Sequence, residues 1–156
     1  MYRSSLQTPI GWLNIETTNW SVIAVYFSNQ PYEENGDHPL LNETRMQLKA
    51  YFEGKSSSFN LPIDPPGTVF QRMVWEEVMK VPFGQTMNYA RLAIRCGDEK
   101  KSRAVASANA ANPIALIIPC HRIVGSNGQL TGYAWGLDRK EWLLNLEQHQ
   151  RQYSLF

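Results

Sequence analysis

The chain has 156 residues, 43% of them hydrophobic and five of them tryptophan, enough to close a core in one domain or in two small ones. No apolar stretch reaches the roughly 18 residues of a membrane-spanning helix, and the opening "MYRSSLQTPIGW" lacks an apolar secretory core, so a cytoplasmic protein with no membrane partner is expected. Two cysteines without a C-x-x-C pair leave no disulfide framework; Cys96, Cys120, His38, His121 and His149 match no zinc spacing, so neither metal nor cofactor is expected.

In chain order, "GWLNIETT" and "SVIAVYFS" alternate in strand fashion and predict an antiparallel hairpin about the turn "TTNW". After the polar loop "NQPYEENGDHP", Leu41, Leu48, Tyr51 and Phe52 fall near helical spacing, with Gly54 as a stop. "KSSSFNLPIDPPG" is rich in Ser and Pro and reads as a linker, which divides the chain into residues 1–62 and 63–156. Thr68 and Gln71 form a capping-box pair opening a helix with Phe70, Val74 and Val78 as its buried stripe, ended by "VPFG". A second helix is expected from about Thr86, carrying Tyr89, Leu92 and Ala93. "CGDEKK" turns into a third, "SRAVASANAAN", halted by Pro113. Residues 115–118 read as a short buried strand, residues 125–136 as a Gly-rich loop, and "LDRKEWLLNLEQHQ" as a terminal helix. Trp12, Trp20, Trp75 and Trp142 are expected in the core.

The third helix is almost bare, with Ala104, Ala106, Ser107, Ala108, Ala110 and Ala111 along it. Such a helix packs backbone-close against another helix or enters a nucleic-acid groove. Arg103 at its start, with Lys100 and Lys101 in the preceding turn, favours the groove, and the two helices with their turn read as helix-turn-helix. The charge is uneven in the same sense. Residues 1–60 carry four Lys/Arg against six Asp/Glu, residues 61–156 eleven against eight, and residues 89–122 six against two. A local field of this kind steers an anionic partner, although charge alone favours the reading of a solvated helix face.

The stretch with the most chemistry is "NPIALIIPCHRIVGSNG", residues 112–128. It places Cys120 between a proline and a histidine just after the most apolar run. His121 and Arg122 set a titratable ring and a fixed cation beside the sulfur, neighbours that a cysteine serving only packing does not need. Cys96 has no such context and reads as structural.

"IPCHRIV" resembles the active-site signature of the O6-alkylguanine-DNA alkyltransferase family. "TVFQRMVW", "VPFGQTMNYARLA", "SRAVASANAANP" and "TGYAWGLDRKEWLLNLE" are similar to the family's other blocks, in its order and spacing, so the likeness is dense from Thr68 to Glu147. It implies an α+β fold: a small antiparallel-sheet, ribonuclease-H-like N-terminal subdomain and a helical, winged-helix-like C-terminal domain with the helix-turn-helix. It implies a DNA repair methyltransferase that flips O6-alkylguanine out of double-stranded DNA and transfers the alkyl group once to Cys120. In that reading His121 takes the thiol proton through a water, its ring turned away from the adjacent Cys120 side chain. Glu147 holds its tautomer, Asn112 braces the turn, and Tyr89 donates to the departing base. Arg103 fills the vacated stack, and Lys101, Ala104, Ser107 and Ala108 lie with it in the minor groove. Asn109, Ile123, Tyr133, Ala134 and Trp135 line the substrate pocket. Trp135 stands where many relatives carry a small residue, and Ala134 where some carry a serine that bonds the guanine oxygen. The protein is expected to act as a monomer.

Other readings are a non-catalytic lesion-binding relative, a cysteine hydrolase or thiol peroxidase, and a transcription factor. Cys120 opposes the first, because that class replaces the reactive cysteine. Turnover separates the second, since a thioether does not turn over. The third leaves the cysteine unexplained.

Overall fold

The computed structural model describes residues 1–154, which fall into two compact units. One comprises Met1–Pro66 with Pro113–Ala115; the other comprises Gly67–Asn112 and the chain from Leu116 onward. The division falls inside the expected linker, a few residues beyond the boundary drawn at position 62, and Ile63 bridges to Val22. A second bridge, Val25 to Ile114, brings the distant Pro113–Ala115 segment into the first unit.

The first unit is an antiparallel sheet of β1 (Tyr2–Thr8), β2 (Gly11–Thr17) and β3 (Val22–Ser28), with α1 (Pro39–Phe52) packed on it. Leu13, Ile15, Val22 and Val25 are buried from the sheet, and Leu41, Thr44, Leu48 and Tyr51 form the matching stripe of α1. Strand β1 escapes a periodicity search because it buries Ser4 and Ser5 beside Leu6; Ser5 Oγ donates to Asn14 Oδ1 at 2.7 Å instead of packing as a hydrocarbon. Trp20, expected in the core, lies at the β2–β3 turn with 81% of its surface exposed. Trp12 and Trp142 are only half-buried, and Trp75 alone of the four fulfils the expectation fully.

The second unit contains α2 (Val69–Val78), β4 (Met87–Asn88), α3 (Tyr89–Arg95), α4 (Ser102–Ala110), β5 (Ile123–Val124) and α5 (Leu137–Ser154). The capping box at Thr68 and Gln71 forms in both directions. Trp75 Nε1 donates to Ala108 O at 2.8 Å, pinning α2 to α4 through the small face of the latter. Helix α3 starts three residues later than the expected Thr86. Met87 and Asn88 pair in parallel with Ile123 and Val124, and Asn88 then caps the helix by accepting from Arg91 N–H. A single-turn Glu99–Lys101 segment joins α3 to α4 and completes the helix-turn-helix.

Residues 115–118 do not form the expected strand. Ile114 makes its bridge, and the chain then turns at Leu116, which is buried at φ 72°, a left-handed conformation unfavourable for a branched side chain. The apolar run is buried as a turn, so its hydrophobicity reported depth and not an extended backbone.

Candidate active site

Cys120 opens a single-turn helix, Cys120–Arg122, directly after Pro119. This turn replaces the extended backbone that would have sent neighbouring side chains to opposite faces. Asn112 spans its entry: Nδ2 donates to Ile118 O at 2.8 Å and to the Cys120 sulfur at 3.1 Å. Asn109 Nδ2 donates to Cys120 O at 3.3 Å. Asn109 lies in the last turn of α4 and Asn112 just beyond its end, and both continue the buried stripe that runs through Val105 and Ala108. Cys120 is 2% exposed, and burial pushes its thiol up to about 11, against the Asn112 hydrogen bond and the Lys140 charge. At neutral pH the resting group is therefore a thiol in need of a base.

The neighbouring ring is held by a carboxylate. His121 Nε2 lies 2.7 Å from Glu147 Oε2, and both side chains are buried. Burial lowers the His121 pKa against the raising effect of Glu147, with Arg122 and Lys140 acting with burial, so the balance favours a neutral imidazole whose Nε2 carries the proton given to Glu147. Nδ1, left as an acceptor, has no protein partner although it is buried. Burial tends to raise the Glu147 carboxyl, but His121 and Arg122 overcome this and hold it well below the usual carboxylate range.

Arg122 is not a cation beside the sulfur, as the sequence order suggested; its guanidinium turns to Glu147. Nε donates to Oε1 at 2.8 Å and Nη2 to Oε2 at 3.1 Å. The turn after α2 completes this cage: Val81 O accepts from Arg122 Nη1 at 2.8 Å, the Phe83 ring lies under the guanidinium, and Gly84 N–H donates to Glu147 Oε1 at 3.4 Å. Gly84 has φ 77°, which lets "VPFG" turn tightly enough to present that N–H.

A second latch lies over Tyr89. Lys140, fully buried on α5, donates Nζ to Ile123 O at 2.5 Å, Thr131 O at 2.9 Å and Gly132 O at 3.4 Å. Tyr89 OH donates to the same two loop carbonyls, at 3.3 and 3.4 Å. Burial lowers Lys140 to about 8 and raises Tyr89 above its ordinary value. Tyr133 OH is buried without a protein partner, and burial and the nearby Cys120 raise its pKa. Trp135 meets the Tyr133 ring edge-on, with centroids 5.3 Å apart. Ala134 is exposed, and the Ile123 side chain is buried while its carbonyl is held by Lys140.

On the outer face of α4, Arg103, Ala104 and Ser107 are exposed together, with Lys101 just before them. Ala108 departs from the expected set. It falls three residues after Val105 on the inward stripe, is buried, and gives its carbonyl to Trp75. Among the described residues, no group of three His, Cys, Asp or Glu is placed to hold a metal, and no helix is long and apolar enough to cross a membrane.

Residues 69–149 match the family model for the DNA-binding domain of 6-O-methylguanine DNA methyltransferase, and residues 1–65 match that for its ribonuclease-like domain. The chain belongs to the 6-O-methylguanine DNA methyltransferase family. A methylated-DNA–protein-cysteine methyltransferase of Mycobacterium leprae is 40% identical over 97% of this chain and 94% of its own. One from Methanosarcina barkeri is 52% identical over 70% of each. The crystal structure of Mycobacterium tuberculosis O6-methylguanine methyltransferase superposes with TM-score 0.86 at 36% identity, covering 96% of this chain and 94% of that one. The M. tuberculosis OGT structure solved in complex with DNA gives the same score and identity over 94% and 92%.

Within this methyltransferase framework, sequence reasoning missed Lys140 and the 81–84 turn. A signal for Lys140 was present: it shares a helical stripe with Leu143 and Glu147, so a lysine stood where a buried residue was due. The 81–84 turn carried none, because all three of these contacts use backbone or ring atoms.

Proposed function

We propose that this methyltransferase repairs DNA carrying O6-alkylguanine, chiefly O6-methylguanine, by transferring the alkyl group irreversibly to its own Cys120. The observation that carries the reading is the sulfur held by Asn112 at 3.1 Å, next to a His121 ring oriented by Glu147 at 2.7 Å. The thiol proton passes to His121 Nδ1 through one intervening water. The sulfur forms its bond to the alkyl carbon as the bond from that carbon to O6 breaks, and the electron pair leaves with guanine. Tyr89 OH donates a proton to the departing base and recovers one from solvent, while Glu147 stabilises the imidazolium formed. The product thioether has no leaving group that water can displace, so each molecule reacts once.

The closed sulfur has a consequence for access. An alkylated base reaches Cys120 only if the nucleotide leaves the duplex and the latch at Thr131 and Gly132 opens. Arg103, exposed in the first turn of α4, fills the gap in the stack, and the small outer face of that helix suits a minor groove. Tyr133 and Trp135 close over the flipped base. The protein acts as a cytoplasmic monomer without cofactor.

Intact-mass spectrometry after incubation with duplex DNA carrying one O6-methylguanine tests this reading. The expected result is one added methyl group per protein, on the Cys120 peptide, with no further repair when fresh DNA is supplied. Cys120→Ala should bind the DNA and gain nothing. A methyl group on Cys96, or repeated turnover, would overturn the assignment.

A further inference from the structure

A cleft of about 470 Å3 lies beside the β4–β5 pair, with residues 80–88, α3 and the start of the loop at 125–128 as its walls. Its charged lining is Lys80, Arg91 and Arg95, and no carboxylate faces it. Lys80 is paired with Glu77 at 2.8 Å, so its charge is already compensated. Arg91 and Arg95 are exposed and make no ion pair with any of the described residues. They stand four residues apart on α3, on one face, where like charges repel each other. An anion between them would relieve that mild repulsion.

The neutral part of the lining narrows the class of anion. Asn88 and Ser126 offer an amide and a hydroxyl, donors that satisfy phosphate oxygens without adding charge. No aromatic ring lines the cleft, so it provides no platform on which a base would stack. Two guanidiniums one helical turn apart suit successive phosphates of one strand. The location supplies the last element. Asn88 and Val124 pair across the inner wall, and the same two segments carry Tyr89 and the Cys120–Arg122 turn immediately beside it.

We infer that this cleft holds the sugar-phosphate backbone of the lesion strand, beside the nucleotide presented to Cys120, with Arg91 and Arg95 as phosphate contacts. The inference rests on the proposed alkyl transfer, and it adds a second anchoring surface to the outer face of α4. Neutral donors and two free cations together grip the backbone without reading its sequence.

The test is the salt dependence of binding to duplex DNA containing O6-methylguanine, for wild type and for the Arg91→Ala/Arg95→Ala double variant. Each phosphate contact contributes about 0.9 to the slope of log K against log salt, so the double variant should lose between about 1 and 2. Its reaction rate with duplex should fall several-fold at physiological salt, while its reaction with the free O6-methylguanine base stays at the wild-type value. Arg91→Lys/Arg95→Lys should keep most of the slope. If the double variant fails to fold, seen as loss of the free-base reaction, Arg95→Gln alone should lose about half as much slope. An unchanged slope in a folded variant would overturn the inference. Absence of alkyl transfer by the wild type to both substrates would instead sink the proposed function, and the slope would still report on the cleft.

Discussion

Arg122 and Glu147 meet side-on through two hydrogen bonds, 2.8 and 3.1 Å long, while the same carboxylate accepts from His121 at 2.7 Å. The guanidinium and the imidazole therefore share one buried charge, and burial together with the guanidinium keeps the compensating positive charge off the ring. With Arg122 present, His121 stays neutral and keeps Nδ1 open as an acceptor.

Replacing Arg122 with Met leaves a buried carboxylate with only the ring to neutralise it. His121 should then hold its proton to higher pH, and the acidic limb of the alkyl-transfer profile should move upward. Stability should fall by about 3–5 kcal/mol in urea unfolding, the usual loss when one partner of a buried pair is removed. Arg122→Lys should recover part of the stability and most of the profile. An acidic limb that stays in place in Arg122→Met would show that the pair is structural only. The carboxylate adds a second expectation. Its folded pKa is depressed, so its stabilisation is present above the unfolded value of about 4.3 and is lost as pH falls through the folded one. Glu147→Gln should make unfolding less sensitive to acid below that unfolded value.

Lys140 is a cation whose pKa is likewise lowered by folding. Its folded pKa is lowered to about 8, below an unfolded value near 10.4, so between these pH values the unfolded chain binds more protons. Unfolding free energy from this group should rise with pH across that window, and Lys140→Met should remove the rise. The same charge lowers the Cys120 thiol, so the substitution should move the thiolate titration of Cys120 to higher pH. A titration that moves downward or not at all would mean the lysine only holds the loop carbonyls.

Arg103 is exposed in the first turn of α4 and makes no ion pair with any of the described residues. Unstacking a base costs a few kcal/mol, and only the duplex requires it. Arg103→Ala should therefore slow repair of duplex O6-methylguanine by tenfold or more and leave the free-base reaction unchanged. Equal losses on the two substrates would remove the stack-filling role.

Trp135 packs edge-on against Tyr133 at 5.3 Å, and the Tyr133 hydroxyl is enclosed near Cys120. The indole thus thickens the aromatic wall over the proposed base site. A methyl group fits beneath such a wall more easily than a benzyl group, so the wild type should react well with O6-methylguanine and poorly with O6-benzylguanine. Trp135→Gly should raise the benzyl-to-methyl ratio of second-order rate constants by on the order of tenfold, about 1.4 kcal/mol. An unchanged ratio would place the indole outside the path of the alkyl group.

Elements whose signal is local were legible in the chain. The Thr68–Gln71 capping box, the Leu41-to-Tyr51 stripe and the bare helix at Ser102–Ala110 all formed, because capping and helical periodicity act within a few residues. Strand β1 was hidden by its buried serines, whose place inside depends on hydrogen bonds to another strand. The strand expected at 115–118 failed for a related reason. An apolar run states that a segment is buried, and only its partners decide whether the backbone is extended or turned.

The site divides along the same line. Sequence alone offered a thiol beside an imidazole and a cationic helix start, and only the family resemblance singled out the late carboxylate. Tertiary structure decided which of them act on each other. Arg122 adjoins His121 in the chain yet serves Glu147, and Lys140 reaches three carbonyls from two other segments. The VPFG turn, legible only as a helix stop, supplies a ring, a carbonyl and an N–H to the buried charge. Long side chains and backbone dipoles are chosen by distance in three dimensions, and the protonation states of Cys120, His121 and Lys140 follow from the burial and charges that folding alone brings together.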